Sequence, residues 1–226
     1  MLEAISHGIC ESVERDSTTL WSLAGKEAQA HTRIDLDTVD DPGCREVLDR
    51  LKHAGMSTAV WETSTDVGIP SFLCVFADLS RQTLGEVQDY IGYGCHPSRR
   101  IALLRALTEA VQMRLTVISG ARDDLEQANY RPKTPGRQVE WFAQSTERRH
   151  FHDGPDRNDD TFEAEVQWQL ERLGAVGLDQ VLVVDLSRPD IGLPVARVIV
   201  PGLEMAFMDL KFFALGERGQ RLRGRR

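Results

Sequence analysis

Two short spacings in this 226-residue chain gather side chains that could do chemistry: Glu11 with Glu14, and Glu109 with Gln112. Residues three apart on a helix are surface neighbours, so each pair presents two oxygen-bearing groups in one direction. Carboxylate and amide oxygens are hard ligands that suit magnesium better than zinc or copper. Magnesium held by a few carboxylates commonly bridges to substrate phosphates. Each pair alone also has a plainer reading: a solvated face for Glu11 and Glu14, an internal salt bridge for Glu109.

The element that must position Glu109 and Gln112 is the run Arg99–Asp124. At about 100° per residue, Leu103, Leu104, Ala106, Leu107, Ala110, Val111, Leu115, Val117 and Ile118 cover most of its circumference, while Arg105, Thr108, Glu109, Gln112 and Thr116 form one narrow polar stripe. A helix apolar on nearly every side is expected to be buried. Its polar groups then need partners, because a buried, unpaired carboxylate costs several kcal/mol. Glu11 and Glu14 belong to a second helix over 1–24. There Leu2, Ile5, Ile9, Val13 and Leu20 line one side and His7, Glu11, Glu14 and Thr18 the other.

Between and after these helices the pattern is α/β. RIDLDTV from Arg33 reads as a strand. DPGCREVLDRLKHAG reads as a helix with Pro42 early and Gly55 as a stop. STAVWETST and PSFLCVFADL read as strands, whereas GEVQDYIGYGCHPS, punctuated by glycine, reads as a loop. Residues 129–160 are polar and aperiodic apart from Trp141 and Phe142, and are expected to form a mobile excursion or lid. Its His150 and His152 read as loop histidines, since no further ligands stand at suitable spacing. Then follow FEAEVQWQLERLGAVG as a helix and QVLVVDLS and LPVARVIVPGLE as strands; 217–226 is a basic tail.

Asp66-Val-Gly-Ile-Pro70 recurs as Asp190-Ile-Gly-Leu-Pro194, each time between two strands and after a helix that carries a polar pair. Gly and Pro are what tight turns require, so the echo alone is weak. The shared order nevertheless suggests two pseudo-repeated helix/strand halves whose polar stripes face each other. Four oxygen-bearing side chains would then converge. Neither a GxxxxGK[ST] loop nor a GxGxxG after a strand is present, so a nucleotide here would be held through metal ions on carboxylate-bearing helices.

Composition narrows the function. A formal charge of −8 argues against a nucleic-acid partner, whose recognition needs a basic footprint. No run of 18 apolar residues could span a membrane, and the start MLEAISHGIC is unlike a signal peptide. Cys10, Cys44, Cys74 and Cys95 are widely scattered and fit reduced, buried thiols in a cytoplasmic protein.

The segments SHGICESVERD (6–16), DVGIP (66–70), YGCHPSRRIALLRALTEAVQMRLTVISGARDD (93–124) and VARVIVPGLE (195–204) resemble the YcaO family, in the expected order and over most of the chain. The resemblance implies an ATP- and magnesium-dependent enzyme that phosphorylates the oxygen of a peptide backbone amide. Azolines or thioamides then form in ribosomally made peptides or proteins. By that match Glu11, Glu14, Glu109 and Gln112 would hold magnesium and nucleotide, with Arg197 a weaker phosphate contact. Relative to the family, the segment before the first ExxE helix is absent, His7 stands where Ser or Asn is common, and Ser98-Arg99-Arg100 stands where an acidic residue is common. GERGQRLRGRR replaces a proline-rich end, which favours the thioamide-forming branch and its TfuA-type partner protein. The expectation is one YcaO-type α/β domain over 1–226 lacking the N-terminal segment, acting on a peptide or protein with a TfuA-type or other partner, a homodimer being left open. Two alternatives stand beside it: a YcaO-like scaffold subunit without ATP turnover, and an unrelated magnesium-dependent phosphoryl-transfer enzyme.

Overall fold

A computed structural model of the chain describes residues 1–78, 89–120, 122, 148–205 and 214–224. Helices α1 (Leu2–Ala24), α2 (Lys26–Ala30) and α3 (Pro42–His53) precede strands β1 (Ser57–Glu62), β2 (Ser71–Ala77) and β3 (Asp89–Cys95). After these come α4 (Arg99–Ser119), α5 (Phe162–Gly174), β4 (Leu182–Asp185), β5 (Ala196–Ile199) and α6 (Glu217–Arg223). Local chemistry sets several of these boundaries. Asp41 caps α3 by accepting the Cys44 N–H at 2.9 Å, with Pro42 at the first helical position, and Thr161 caps α5 through the Ala164 N–H.

The strands form two antiparallel sheets, β1-β2-β3 and β4-β5. The order helix, helix, strand, DhGhP, strand runs once through α1, α3, β1 and β2 and again through α4, α5, β4 and β5, with h an apolar residue. Gly68 and Gly192 take the same left-handed conformation in the two turns, φ 74° and 73°. The halves exchange their helices: α4 packs on β2 and β3, and α1 packs on β5. One core cluster therefore joins α3, α4 and the first sheet through Leu48, Phe72, Phe76, Leu103 and Leu107. A second joins α1, α5 and β5 through Ile9, Val13, Leu173 and Val198.

The segment expected as a loop at 85–98 contains β3, and the glycines that suggested a loop are the reason the strand can lie where it does. A Cβ on Gly92 would stand 2.2 Å from the Ala110 nitrogen, and one on Gly94 2.2 Å from the Ala102 carbonyl oxygen. Ala102, Ala106 and Ala110 complete a seam of small residues that brings the α4 backbone onto the strand. Gly92→Ala is expected to lower stability by about 1–3 kcal/mol or more, since the clash is with backbone that cannot rotate away. Chemical denaturation checks this, and a change below about 0.5 kcal/mol would show that the seam opens freely.

Three further expectations are corrected. Arg33–Val39 is not a strand: Arg33 and Ile34 form single bridges to Trp61 and Arg149, and Leu36–Thr38 is a 3-10 turn. Asp35 accepts the Asp37 N–H and the Thr38 hydroxyl bonds back to the Asp35 carbonyl, competing with extended pairing. The described part of the excursion at 129–160, residues 148–160, is docked against the rest of the chain. Arg149 exchanges backbone hydrogen bonds with Arg33 and Asp35, Phe151 enters the core, and Asp156 accepts the Arg99 N–H at 2.7 Å. His150 and His152 lie in this loop, His152 facing Asp40 at 3.0 Å. Trp141 and Phe142 lie outside the described residues. Finally, α4 is not buried along its whole length: Leu115 and Ile118 are 59% and 62% exposed. A helix of 21 residues is roughly 31 Å long and a strand of 7 residues roughly 23 Å, so the last turns run past the sheet.

Candidate active site

The polar stripe of α4 runs along the outer edge of β3, whose outward backbone groups need partners. Met113 Sδ accepts the Ile91 N–H at 3.3 Å, Glu109 Oε1 accepts the Tyr93 N–H at 3.3 Å, and Arg105 Nη1 donates to the Cys95 carbonyl at 3.0 Å. Four helical residues rise about 6 Å and two strand residues about 6.6 Å, so steps of four on α4 stay in register with steps of two on β3. Glu109 is thereby fixed through one carboxylate oxygen.

The polar side of α1 faces this edge. His7, Glu11, Glu14 and Arg15 from α1, Tyr93 and Cys95 from β3, and Arg105, Thr108, Glu109 and Gln112 from α4 line a single cleft of about 340 Å³. The two predicted pairs therefore meet. Arg15, Arg105 and Tyr93 are cleft residues that were not assigned there from sequence. Arg15 follows Glu14 and pairs with Glu11 at 3.5 Å, a spacing of four that was legible; Tyr93 was hidden because its strand read as a loop. Arg197 is not among the lining residues. On β5 it stands opposite Val184, one position before Val198, which packs against Gly8 of α1, so strand alternation turns Arg197 to the other face of the hairpin.

The charges in the cleft oppose one another. Burial and then the charge of Glu109 push the Glu14 carboxyl up to about 7, with Glu11 adding to the effect and Arg15 and Arg105 opposing it. The Glu109 carboxyl is raised by burial and by Glu11, against the Tyr93 N–H and Arg15. Burial and Glu109 raise the Tyr93 hydroxyl to about 12. Among the described residues no three His, Cys, Asp or Glu side chains stand close enough to form a ready metal cage. The convergence expected of Glu11, Glu14, Glu109 and Gln112 is thus one of a shared cleft rather than of a ready-made cage. Glu11 is paired with Arg15 at 3.5 Å and Glu109 accepts the Tyr93 N–H at 3.3 Å. Such a set still fits magnesium, which keeps several waters and takes only one or two carboxylates together with phosphate oxygens. A dication would also relieve the repulsion that raises Glu14 and Glu109.

A pH dependence follows for the protein without magnesium. The folded-state pKa of Glu14 lies above its unfolded value of 4.5, so the folded chain holds a proton that the unfolded chain releases. The stability from this group is fully present below pH 4.5 and is lost as pH rises through 7, by a few kcal/mol at most. Denaturant titrations at pH 5 and 8 should show the loss in the wild type and little of it in Glu14→Gln. Equal slopes in the two proteins would contradict it.

The family model of YcaO cyclodehydratases, described as ATP- and Mg2+-binding, matches residues 1–204. The chain belongs to the YcaO family. An uncharacterized protein in the tfuA 3′ region of Rhizobium leguminosarum bv. trifolii is 36% identical over 96% of this chain and 53% of its own length. The heterocyclase TruD shares the fold with a TM-score of 0.74 and 28% identity, over 96% of this chain and 29% of that one. A YcaO from Methanopyrus kandleri, bound with AMPPCP and Mg2+, superposes with a TM-score of 0.72 at 21% identity, over 93% of this chain and 54% of that one. This YcaO chain spans about half the length of the curated relatives it matches. No described helix is long and apolar enough to cross a membrane.

Proposed function

We propose that this chain carries the nucleotide-binding carboxylates of an ATP- and Mg2+-dependent enzyme that phosphorylates a peptide backbone amide on its oxygen and leads to a thioamide. The observation that supports the reading is the convergence of Glu11, Glu14, Glu109 and Gln112 on one cleft where carboxylates sit at an electrostatic cost. Glu11, Glu14, Glu109 and Gln112 would hold magnesium, and Arg15 and Arg105 are the cations of the cleft available to phosphate oxygens. Bound magnesium supplies charge neutralisation on the transferring phosphoryl group.

In the reaction the amide oxygen attacks the terminal phosphorus and the bond to the bridging oxygen breaks, releasing ADP. Hydrosulfide then adds to the activated carbon. Phosphate leaves with the former amide oxygen, so that amide, ATP and HS− give thioamide, ADP and hydrogen phosphate. Attack by a neighbouring Cys, Ser or Thr side chain in place of hydrosulfide would give an azoline. The relative encoded in the tfuA 3′ region favours the thioamide outcome and a TfuA-type partner.

The test is mass spectrometry of candidate peptides incubated with the chain, its TfuA-type partner, Mg2+, ATP and sulfide, with ADP measured in parallel. Oxygen replaced by sulfur with stoichiometric ADP is the expected result, and loss of water would mark an azoline former. ATP binding without turnover, partner present, would identify a scaffold subunit instead.

A further inference from the structure

A second cavity of about 460 Å³ adjoins the carboxylate cleft, and His7 and Arg105 line both. We propose that this second cavity, walled by His96, Glu165, Phe162 and Pro194, is the acceptor subsite. It would receive one extended residue of the peptide with its reacting carbonyl turned toward Arg105 and the cleft. The inference rests on the nucleotide reading of the first cavity and adds the place and the recognition chemistry of the second substrate.

The recognition groups are built into the core. Glu165 is 8% exposed, and one of its oxygens accepts the Ser6 hydroxyl, which in turn accepts from Gln169 Nε2 at 3.0 Å. Its other oxygen stands 3.7 Å from His96 Nε2, too far for a good hydrogen bond. His96 Nδ1 accepts the Ser98 N–H at 2.9 Å, so a neutral ring carries its proton on Nε2. Burial, then Arg105 and His7, hold the His96 pKa down to about 4, which keeps the ring neutral at physiological pH.

The wall thus offers an acceptor on Glu165 and a donor on His96 side by side. In an extended strand a residue's own N–H and C=O point to the same side, the arrangement by which antiparallel neighbours exchange paired hydrogen bonds. That matches the wall. Phe162, 46% exposed, and Pro194 add an apolar rim for a flanking side chain. Glu3 and Glu165 add negative charge to a cavity that shares only His7 and Arg105 with the cleft, so it suits a neutral backbone better than a further phosphate.

The probe is N-acetylglycine N′-methylamide, titrated with and without Mg2+·AMPPCP while the ring signals of His96 and Phe162 are followed by NMR. Saturable movement of both signals is expected, with affinity weakened about tenfold in Glu165→Gln, which loses a charge-assisted hydrogen bond. Phe162→Ala, altered at an exposed position where folding is safe, should weaken the diamide by about threefold through lost apolar contact. Neither change should alter the melting shift given by Mg2+·AMPPCP. Diamide binding that ignores both substitutions, or that leaves His96 and Phe162 in place while Mg2+·AMPPCP still stabilises the protein, overturns the subsite and spares the nucleotide reading. Movement of Phe162 by Mg2+·AMPPCP alone would overturn it as well, by showing that nucleotide fills the cavity. A diamide response without any Mg2+·AMPPCP stabilisation would support the peptide cavity and sink the nucleotide reading.

Discussion

Glu109→Gln is expected to keep the fold and abolish most of the stabilisation that Mg2+·ATP gives the protein. The amide oxygen of Gln can still accept the Tyr93 N–H, so the bond that holds α4 to the edge of β3 survives. What disappears is one of the carboxylates whose charge raises Glu14. Without magnesium the variant should therefore be as stable as the wild type or more so. A ligand present at about a hundred times its Kd stabilises by roughly 2.7 kcal/mol, and if Glu109 holds the metal as proposed, its removal should cost nearly all of it. Thermal unfolding with Mg2+ alone, ATP alone and both together separates these effects. Arg197→Ala is the internal control: its side of β5 faces away from α1, so it should respond to Mg2+·ATP as the wild type does. A full response in Glu109→Gln would place the nucleotide outside this cleft.

The parts of this site that sequence made legible are those encoded by spacing on a single helix. Three-residue spacing put Glu11 beside Glu14 and Glu109 beside Gln112, and the repeated turn at 66–70 and 190–194 pointed to their convergence. The exchange of helices between the halves was not legible, because it depends on which sheet each apolar face selects. Gly92 and Gly94 show the limit most clearly. Glycine is a poor strand residue by propensity, yet here the absence of side chains admits the α4 backbone, and with β3 unseen Tyr93 could not be assigned to the cleft. Arg197 shows a different limit. Its assignment came through family resemblance alone, and the alternation of β5 directs it away from the carboxylates.

The largest loss of stability is expected from Glu62→Leu, at the end of β1 where that strand meets the start of α4. Arg99, the first residue of α4, is 1% exposed and meets Glu62 through two hydrogen bonds of 2.7 and 2.9 Å, with its guanidinium over the rings of Phe72 and Phe151 and its Nε donating to the Phe151 carbonyl. Burial works against the Glu62 carboxylate, but Arg99 and Arg149 together hold its pKa below the ordinary range. An arginine cannot shed its proton. Replacing Glu62 therefore strands a cation in the core, a change that costs about 3–5 kcal/mol in comparable buried pairs. For a chain of this length that corresponds to a melting point lower by roughly 10 °C. Arg99→Leu should cost less, because Glu62 keeps Arg149 at 3.2 Å. The double variant should recover part of the loss, since no charge is then left buried without its partner, and the cycle gives the coupling directly. The consequence reaches the site: the pair anchors the start of α4, and Arg105, Glu109 and Gln112 follow on its next turns. Glu62→Leu should thus also weaken the response to Mg2+·ATP, and the double variant should restore it in part. Single variants that add with no coupling would show that Arg99 finds its solvation elsewhere and that α4 is placed by apolar packing alone.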